Sequence, residues 1–163
     1  MKFVIDDGGR AAAGFKGSAG DCVARAIAIA AKRPYREVYD ALATGRGSQR
    51  VTKRSGKKSR SARNGIATSR KWFKDYMVGL GFVWEPTMLI GQGCKVHLVE
   101  DELPPGRLVV AVSGHYTAVI DGVIHDTHDP QRHSIETGVK DGVPYRKEYD
   151  RCVYGYWSLW GTG

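Results

Sequence analysis

Three residues of this sequence have the types and the placing that nucleophilic catalysis requires: Cys22, His115 and Asp126. Cys22 opens the run Cys22-Val23-Ala24-Arg25-Ala26-Ile27-Ala28-Ile29-Ala30-Ala31. Its Ala and Ile content predicts a helix that is apolar nearly all round and central to the core. Asp21 stands at the N-cap, where a side-chain oxygen can accept the orphan N–H groups of the first turn. A thiol at this point sits at the positive end of the helix dipole and beside unsatisfied N–H groups. Both favour the thiolate, which is the nucleophile. The competing reading of Cys22 is a small buried residue, as most free cysteines are.

The second half of the chemistry lies in the stretch from Ser113 to Pro130. Asp121-Gly122 between apolar flanks predicts a two-residue hairpin. Ile120 then pairs with Val123, Val119 with Ile124, Ala118 with His125 and Thr117 with Asp126. Opposed residues share a face, as do alternate residues along a strand. His115, Thr117 and Val119 therefore lie with Ile124, Asp126 and His128, and Asp126 is diagonal to His115. A base that takes the thiol proton, held by a carboxylate, is what a cysteine hydrolase needs, and it requires no cofactor. Asp129 has the opposite parity and reaches His115 only if the strand ends or twists first.

The elements that must bring these groups together follow from periodicity. Residues 2–5 read as a strand, and Asp7 to Gly20 as a Gly- and Ala-rich loop. Pro34 starts a second helix, Tyr35 to Ala43, with Tyr35, Val38, Tyr39 and Leu42 on one face and Gly45 ending it. A third helix, Thr68 to Gly79, turns Trp72, Phe73, Tyr76, Met77 and Leu80 inward. Short strands are predicted at 82–84, 88–90 and 94–98, a central strand at 107–112, and a last strand at 151–157. Helices followed by an antiparallel sheet give the α+β class, and no internal repeat is visible.

The chain has 163 residues, 42% hydrophobic and 26% charged, which fits one globular domain spanning 1–163. Three cysteines, Cys22, Cys94 and Cys152, are odd in number and far apart, which argues against a disulfide framework and for a reducing compartment. Cys94 and Cys152 read as core residues of strands. The charged start after Met1 is no signal peptide, and no apolar run is long enough to span a bilayer. A cytoplasmic protein with no membrane partner is expected. The net charge of +8 is local: residues 46–74 hold eleven basic residues and no acidic one, leaving −3 for the rest. Within it, a Gly/Ser-rich loop at about 45–67 reads as flexible by composition. Its Lys53, Arg54, Lys57, Lys58 and Arg60 suit an acidic protein surface or non-specific nucleic-acid backbone, with no aromatics for stacking on bases. The plain alternative is a solvated insertion with no partner.

On Asp21-Cys22 before an apolar helix and on His115-Tyr116-Thr117-Ala118-Val119, the chain resembles the papain-like cysteine peptidase superfamily. Its pattern resembles that of the bacteriocin-processing (double-glycine) peptidase domains of export transporters. It also resembles small phage-borne proteins with a Gly-Asp-Cys-Val start and a His-Asp-Thr ending. The resemblance touches roughly residues 14–33 and 107–130. It implies a papain-like fold, a phage or bacterial source, and hydrolysis of a peptide or protein amide through Cys22, His115 and a third residue. The Asp-Pro match points to Asp129 for that third residue, and the hairpin register to Asp126, which is preferred. The family's oxyanion-stabilising Gln, six residues before the Cys, is Lys16 here. Lys16 and the Cys22 backbone N–H would then form the oxyanion site, with Ser18 as a substitute donor.

Rival readings remain. His125, Asp126, His128, Asp129 and His133 are dense enough for a metal, but their spacing matches no metal motif, and His125 and Asp126 point to opposite faces of a strand. Deamidation or amide transfer would use the same residues, because only the acceptor that resolves the thioester differs. The alternative from another class is an inactive papain-like fold serving as a basic nucleic-acid-binding or interaction module. Trp84, Tyr116 and the C-terminal aromatics are expected to pack, and to wall a cleft if one exists.

Overall fold

The computed structural model describes residues 1–16, 20–48 and 66–159. In chain order its elements are β1 (Lys2–Ile5), α1 (Cys22–Ala31), α2 (Tyr35–Ser48), α3 (Lys71–Gly79), β2 (Phe82–Pro86), β3 (Val96–His97), β4 (Arg107–Val112), β5 (His115–Ile120), β6 (Val123–Asp126), β7 (His133–Lys140), β8 (Val143–Asp150) and β9 (Cys152–Leu159). The class is mixed α+β with a mostly antiparallel main sheet, ordered β1-β6-β5-β4-β9-β2, with β3 also on β9.

α1 is the buried helix that its composition predicts, with every residue from Val23 to Ala30 buried. It packs with Val38 and Leu42 of α2 and Phe73 and Met77 of α3 on one sheet face, against Val109, Ala118 and Trp157. Leu108, Val110, Val119 and Ile124 point to the other face, under Leu98 and Leu103 of the connection before β4. Both ends of α1 are tied down. At its C-terminus the Arg107 guanidinium donates from Nε to Ala30 O (2.7 Å) and from Nη2 to Ile29 O (2.8 Å). These bonds satisfy terminal carbonyls and place a cation at the negative end of the dipole.

The β5–β6 hairpin forms in the expected register, pairing Ile120 with Val123, Val119 with Ile124 and Ala118 with His125. Asp121 (φ 48°) and Gly122 (φ 79°) take the left-handed conformations such a turn demands. Asp126 ends the strand.

Several expectations are corrected. β1 pairs parallel with β6, so the main sheet is not wholly antiparallel. α3 begins at Lys71 rather than Thr68. α2 runs through Gly45 to Ser48, because the glycine serves packing rather than termination: a Cβ there would lie 2.1 Å from Trp72 Cε3. Met88-Leu89-Ile90 forms no strand. It is an exposed turn in which Gln92 N–H donates to Leu89 O at 3.1 Å. The β7–β8 hairpin was not anticipated, although Asp141-Gly142 repeats the turn chemistry of Asp121-Gly122. The basic loop residues Lys53, Arg54, Lys57, Lys58 and Arg60 lie outside the described residues, as does Ser18.

The cysteine reading is also overturned, since Cys94 and Cys152 are joined in a disulfide and Cys22 is the free thiol. The odd count concealed a pair that only the fold reveals: β3 lies antiparallel to β9, pairing Val96 with Val153 and His97 with Cys152, and so draws the two sulfurs together. Cys94 is exposed rather than core. Because disulfides persist in oxidising surroundings, the cysteine usage no longer argues for a reducing compartment. The bridge spans 58 residues of sequence, and closing a segment of that length restricts the unfolded chain. Reduction is therefore expected to lower stability by about 2–4 kcal/mol, read as a fall in the urea midpoint with and without reductant. No described helix is long and apolar enough to cross a membrane.

Candidate active site

The Cys22 thiol and the His115 imidazole meet where the first turn of α1 abuts the start of β5. α1 packs on the sheet face that carries Ala118, whereas His115 shares the parity of Thr117 and Val119, so the contact is made around the end of the strand. The turn Ser113-Gly114, with Gly114 at φ 66°, delivers His115 there. Arg151 holds this turn, donating from Nη2 to Ser113 O (2.5 Å) and from Nη1 to Pro130 O (2.8 Å). It thereby ties the segment before His115 to the one after Asp126.

His115 Nε2 donates to Asp126 Oδ2 at 2.7 Å, which leaves the other ring nitrogen for the hydrogen bond that His115 shares with Cys22. Asp126 is 4% exposed, and its Oδ1 accepts the Thr127 N–H at 2.7 Å. Burial alone would raise the Asp126 carboxyl. The His115 hydrogen bond, the nearby Thr117 hydroxyl, the imidazolium charge and the Thr127 amide together hold it below its ordinary value. For His115, burial opposes the charged ring, but hydrogen bonds to Asp126 and Cys22, and the charges of both, raise its pKa to about 9. For Cys22, burial pushes the thiol up, and three groups more than reverse it: His115 through its hydrogen bond and its charge, Tyr116 through its backbone amide, and Arg25 through its charge. Both shifts favour a thiolate beside an imidazolium, with the carboxylate hydrogen-bonded to the ring.

Asp21 does something other than cap the helix. Its side chain makes no capping hydrogen bond. Instead it is buried, accepts hydrogen bonds from Arg25 Nη1 and Tyr35 OH, and pairs with Arg10 Nε at 3.1 Å. A carboxylate with three donors around it is better satisfied than one facing the helix amides alone. The cluster joins the Asp7–Phe15 loop, α1 and α2 at the residue before the nucleophile, and the sequence pattern gave no sign of it. Arg10 and Tyr35 are too far off in sequence for any local rule to find.

The oxyanion expectation for Lys16 is not met. Lys16 is exposed and lines neither cavity at Cys22; its backbone carbonyl accepts Arg10 Nη2 at 3.1 Å. The loop before it curls on Asp7, whose two oxygens accept the Gly9 and Ala11 amides at 2.9 Å. Phe15 then packs on Tyr35 and Tyr39, which draws the chain toward α2. The Cys22 N–H lies at the start of α1, and the Arg25 charge acts on the Cys22 thiol. Asp129 is likewise not at His115: its Oδ1 accepts the Gln131 N–H at 3.0 Å and both oxygens accept Gln131 Nε2.

The other imidazoles disperse. His125 faces Asp6 (3.5 Å), and His133 faces Glu148 and Asp150. Among the described residues no group of three or more His, Cys, Asp or Glu is arranged to hold a metal. His128 instead lies against His115, the ring centres 4.9 Å apart.

Two cavities meet at Cys22 and His115, and Gly20 and Gly114 border both. One, about 550 Å³, is walled by Trp84, Tyr116, Tyr154 and Trp157, with Lys74 at its edge. The other, about 640 Å³, is lined by Phe15 and Ala11 together with the polar side chains of Asp7, Arg10, Arg25, Thr127 and His128. A groove across the Cys22–His115 pair can hold an acyl compound with its carbonyl over the sulfur and its leaving group near the ring nitrogen. No protein-family model matches the chain, and neither a curated protein nor a solved structure matches it.

Proposed function

We propose that this protein is a papain-like cysteine hydrolase that cleaves an amide or isopeptide bond of a peptide or protein. The observation that carries this is the continuous chain of contacts from a helix-initiating thiol, through His115, to a buried carboxylate 2.7 Å from the far ring nitrogen. Cys22 Sγ attacks the carbonyl and the Cys22 N–H receives the oxyanion. His115 gives its proton to the leaving nitrogen as the C–N bond breaks. Water then attacks the thioester, passes its proton to His115 and releases the acid, restoring the thiolate. Asp126 keeps the ring oriented throughout. Transfer to another nucleophile would use the same steps with a different acceptor, and no observation favours it over hydrolysis.

The test is the rate of Cys22 alkylation by iodoacetamide against pH, in the native protein and in His115→Ala. The reagent reads thiolate. In the native protein, labelling should be fast well below the ordinary thiol range of about 8.5. A further step should appear as His115 loses its proton at about 9, the two values belonging to the coupled pair. In His115→Ala the ring no longer lowers the thiol and burial still raises it, so the labelling curve shifts to higher pH. An ordinary thiol profile in both proteins would overturn the proposal and favour an inactive scaffold. Amide turnover, in turn, should rise with pH as the thiolate forms and fall as the imidazolium, the proton donor, is lost near 9.

A further inference from the structure

The second cavity beside Cys22 differs from the aromatic one in the charged side chains on its wall. Its own carboxylate, Asp7, is engaged by the Gly9 and Ala11 amides. The neighbouring Asp21 carboxylate is fully buried, its side chain 0% exposed, and closed by Arg10, Arg25 and Tyr35. Beside Phe15 and Ala11, the other polar side chains on its wall are Arg10, Arg25, Thr127 and the paired rings of His115 and His128. His115 carries the proton for the leaving group in the proposed mechanism, and the His128 ring lies against it, 4.9 Å between centres.

We propose that this second cavity receives the departing, amine-containing half of the substrate and binds a carboxylate on it, with His128 and Arg10 as specificity-determining residues. The proposal rests on the amide-hydrolase reading. A negative group held there completes the hydrogen bonds of His128 and sits against the Arg10 guanidinium, which Asp21 holds in position. Such charge-assisted contacts are the strong and directional ones. The carboxylate is either an acidic side chain next to the cleaved bond or a free C-terminus.

The experiment compares alkylation of Cys22 by iodoacetate, an anion, with alkylation by iodoacetamide, its neutral analogue, near neutral pH. The iodoacetate-to-iodoacetamide rate ratio should exceed that of a small free thiol. It should fall by about tenfold in His128→Gln, at an exposed position, and in Arg10→Gln, with recovery in Arg10→Lys. N-acetylglycylglycine, which carries only a terminal carboxylate, and N-acetylaspartate α-amide, which carries only a side-chain one, are then tested as competitors. Protection by the first assigns a C-terminus, and protection by the second assigns an acidic side chain. Rapid iodoacetamide labelling with a free-thiol ratio that neither variant changes would overturn the anion site alone. Slow labelling by both reagents with an ordinary thiol profile would overturn the hydrolase reading, and the anion site with it.

Discussion

Cys22→Ala is expected to lose essentially all amide turnover, a fall of about 10⁴- to 10⁶-fold where nucleophile and base act as a unit. His115→Ala should cost nearly as much, and the double variant little more, because either change alone already removes the reacting pair. Asp126→Ala should leave a weakened enzyme, since it holds the ring without touching the reacting atoms. The measurement is the initial rate on fluorogenic peptide amides, with each variant's urea midpoint as the control. Cys22 is half-buried and its thiol is small, so Cys22→Ala should move stability by no more than about 1 kcal/mol. Turnover that survives in Cys22→Ala would exclude the mechanism.

Asp21→Ala is expected to be the most destabilising single change near the site, by about 3–5 kcal/mol, the usual cost of removing one member of a buried ion pair. The carboxylate joins Arg10 of the loop, Arg25 of α1 and Tyr35 of α2, so three segments lose a common acceptor together. Urea denaturation reads the loss directly. Asp21→Asn, which keeps the shape and one acceptor oxygen, should recover part of it. A change within about 0.5 kcal/mol, the range of an ordinary surface substitution, would show that the cluster contributes little. Because Asp21 precedes Cys22, Asp21→Ala should also slow Cys22 alkylation below the ordinary thiol range, through displacement of the first turn of α1.

The helix and the hairpin were legible because their signals are local. The Ala and Ile run of 23–31 can bury itself in only one kind of element, and Asp121-Gly122 fixes a turn whose register then decides which residues share a face. That register placed Asp126 rather than Asp129 at His115, and the 2.7 Å contact agrees with it. The β7–β8 hairpin carries the same Asp-Gly turn at 141–142, yet its strands are so polar and exposed that alternation gave little signal.

The sequence by itself determined the buried helix that opens with Cys22, the hairpin carrying His115 and Asp126, and the facing of those two residues, because each depends on periodicity and on turns of a few residues. Tertiary structure decided the rest. It turned Asp21 from a cap into the centre of a buried cluster, since Arg10 and Tyr35 offer more donors than the helix end does. It sent Lys16 into solvent, because Phe15 is drawn onto Tyr35 and Tyr39. It joined Cys94 to Cys152, because β3 lies along β9. Each of these outcomes is a choice among partners distant in the chain, settled by which burial and pairing satisfy the most groups at once.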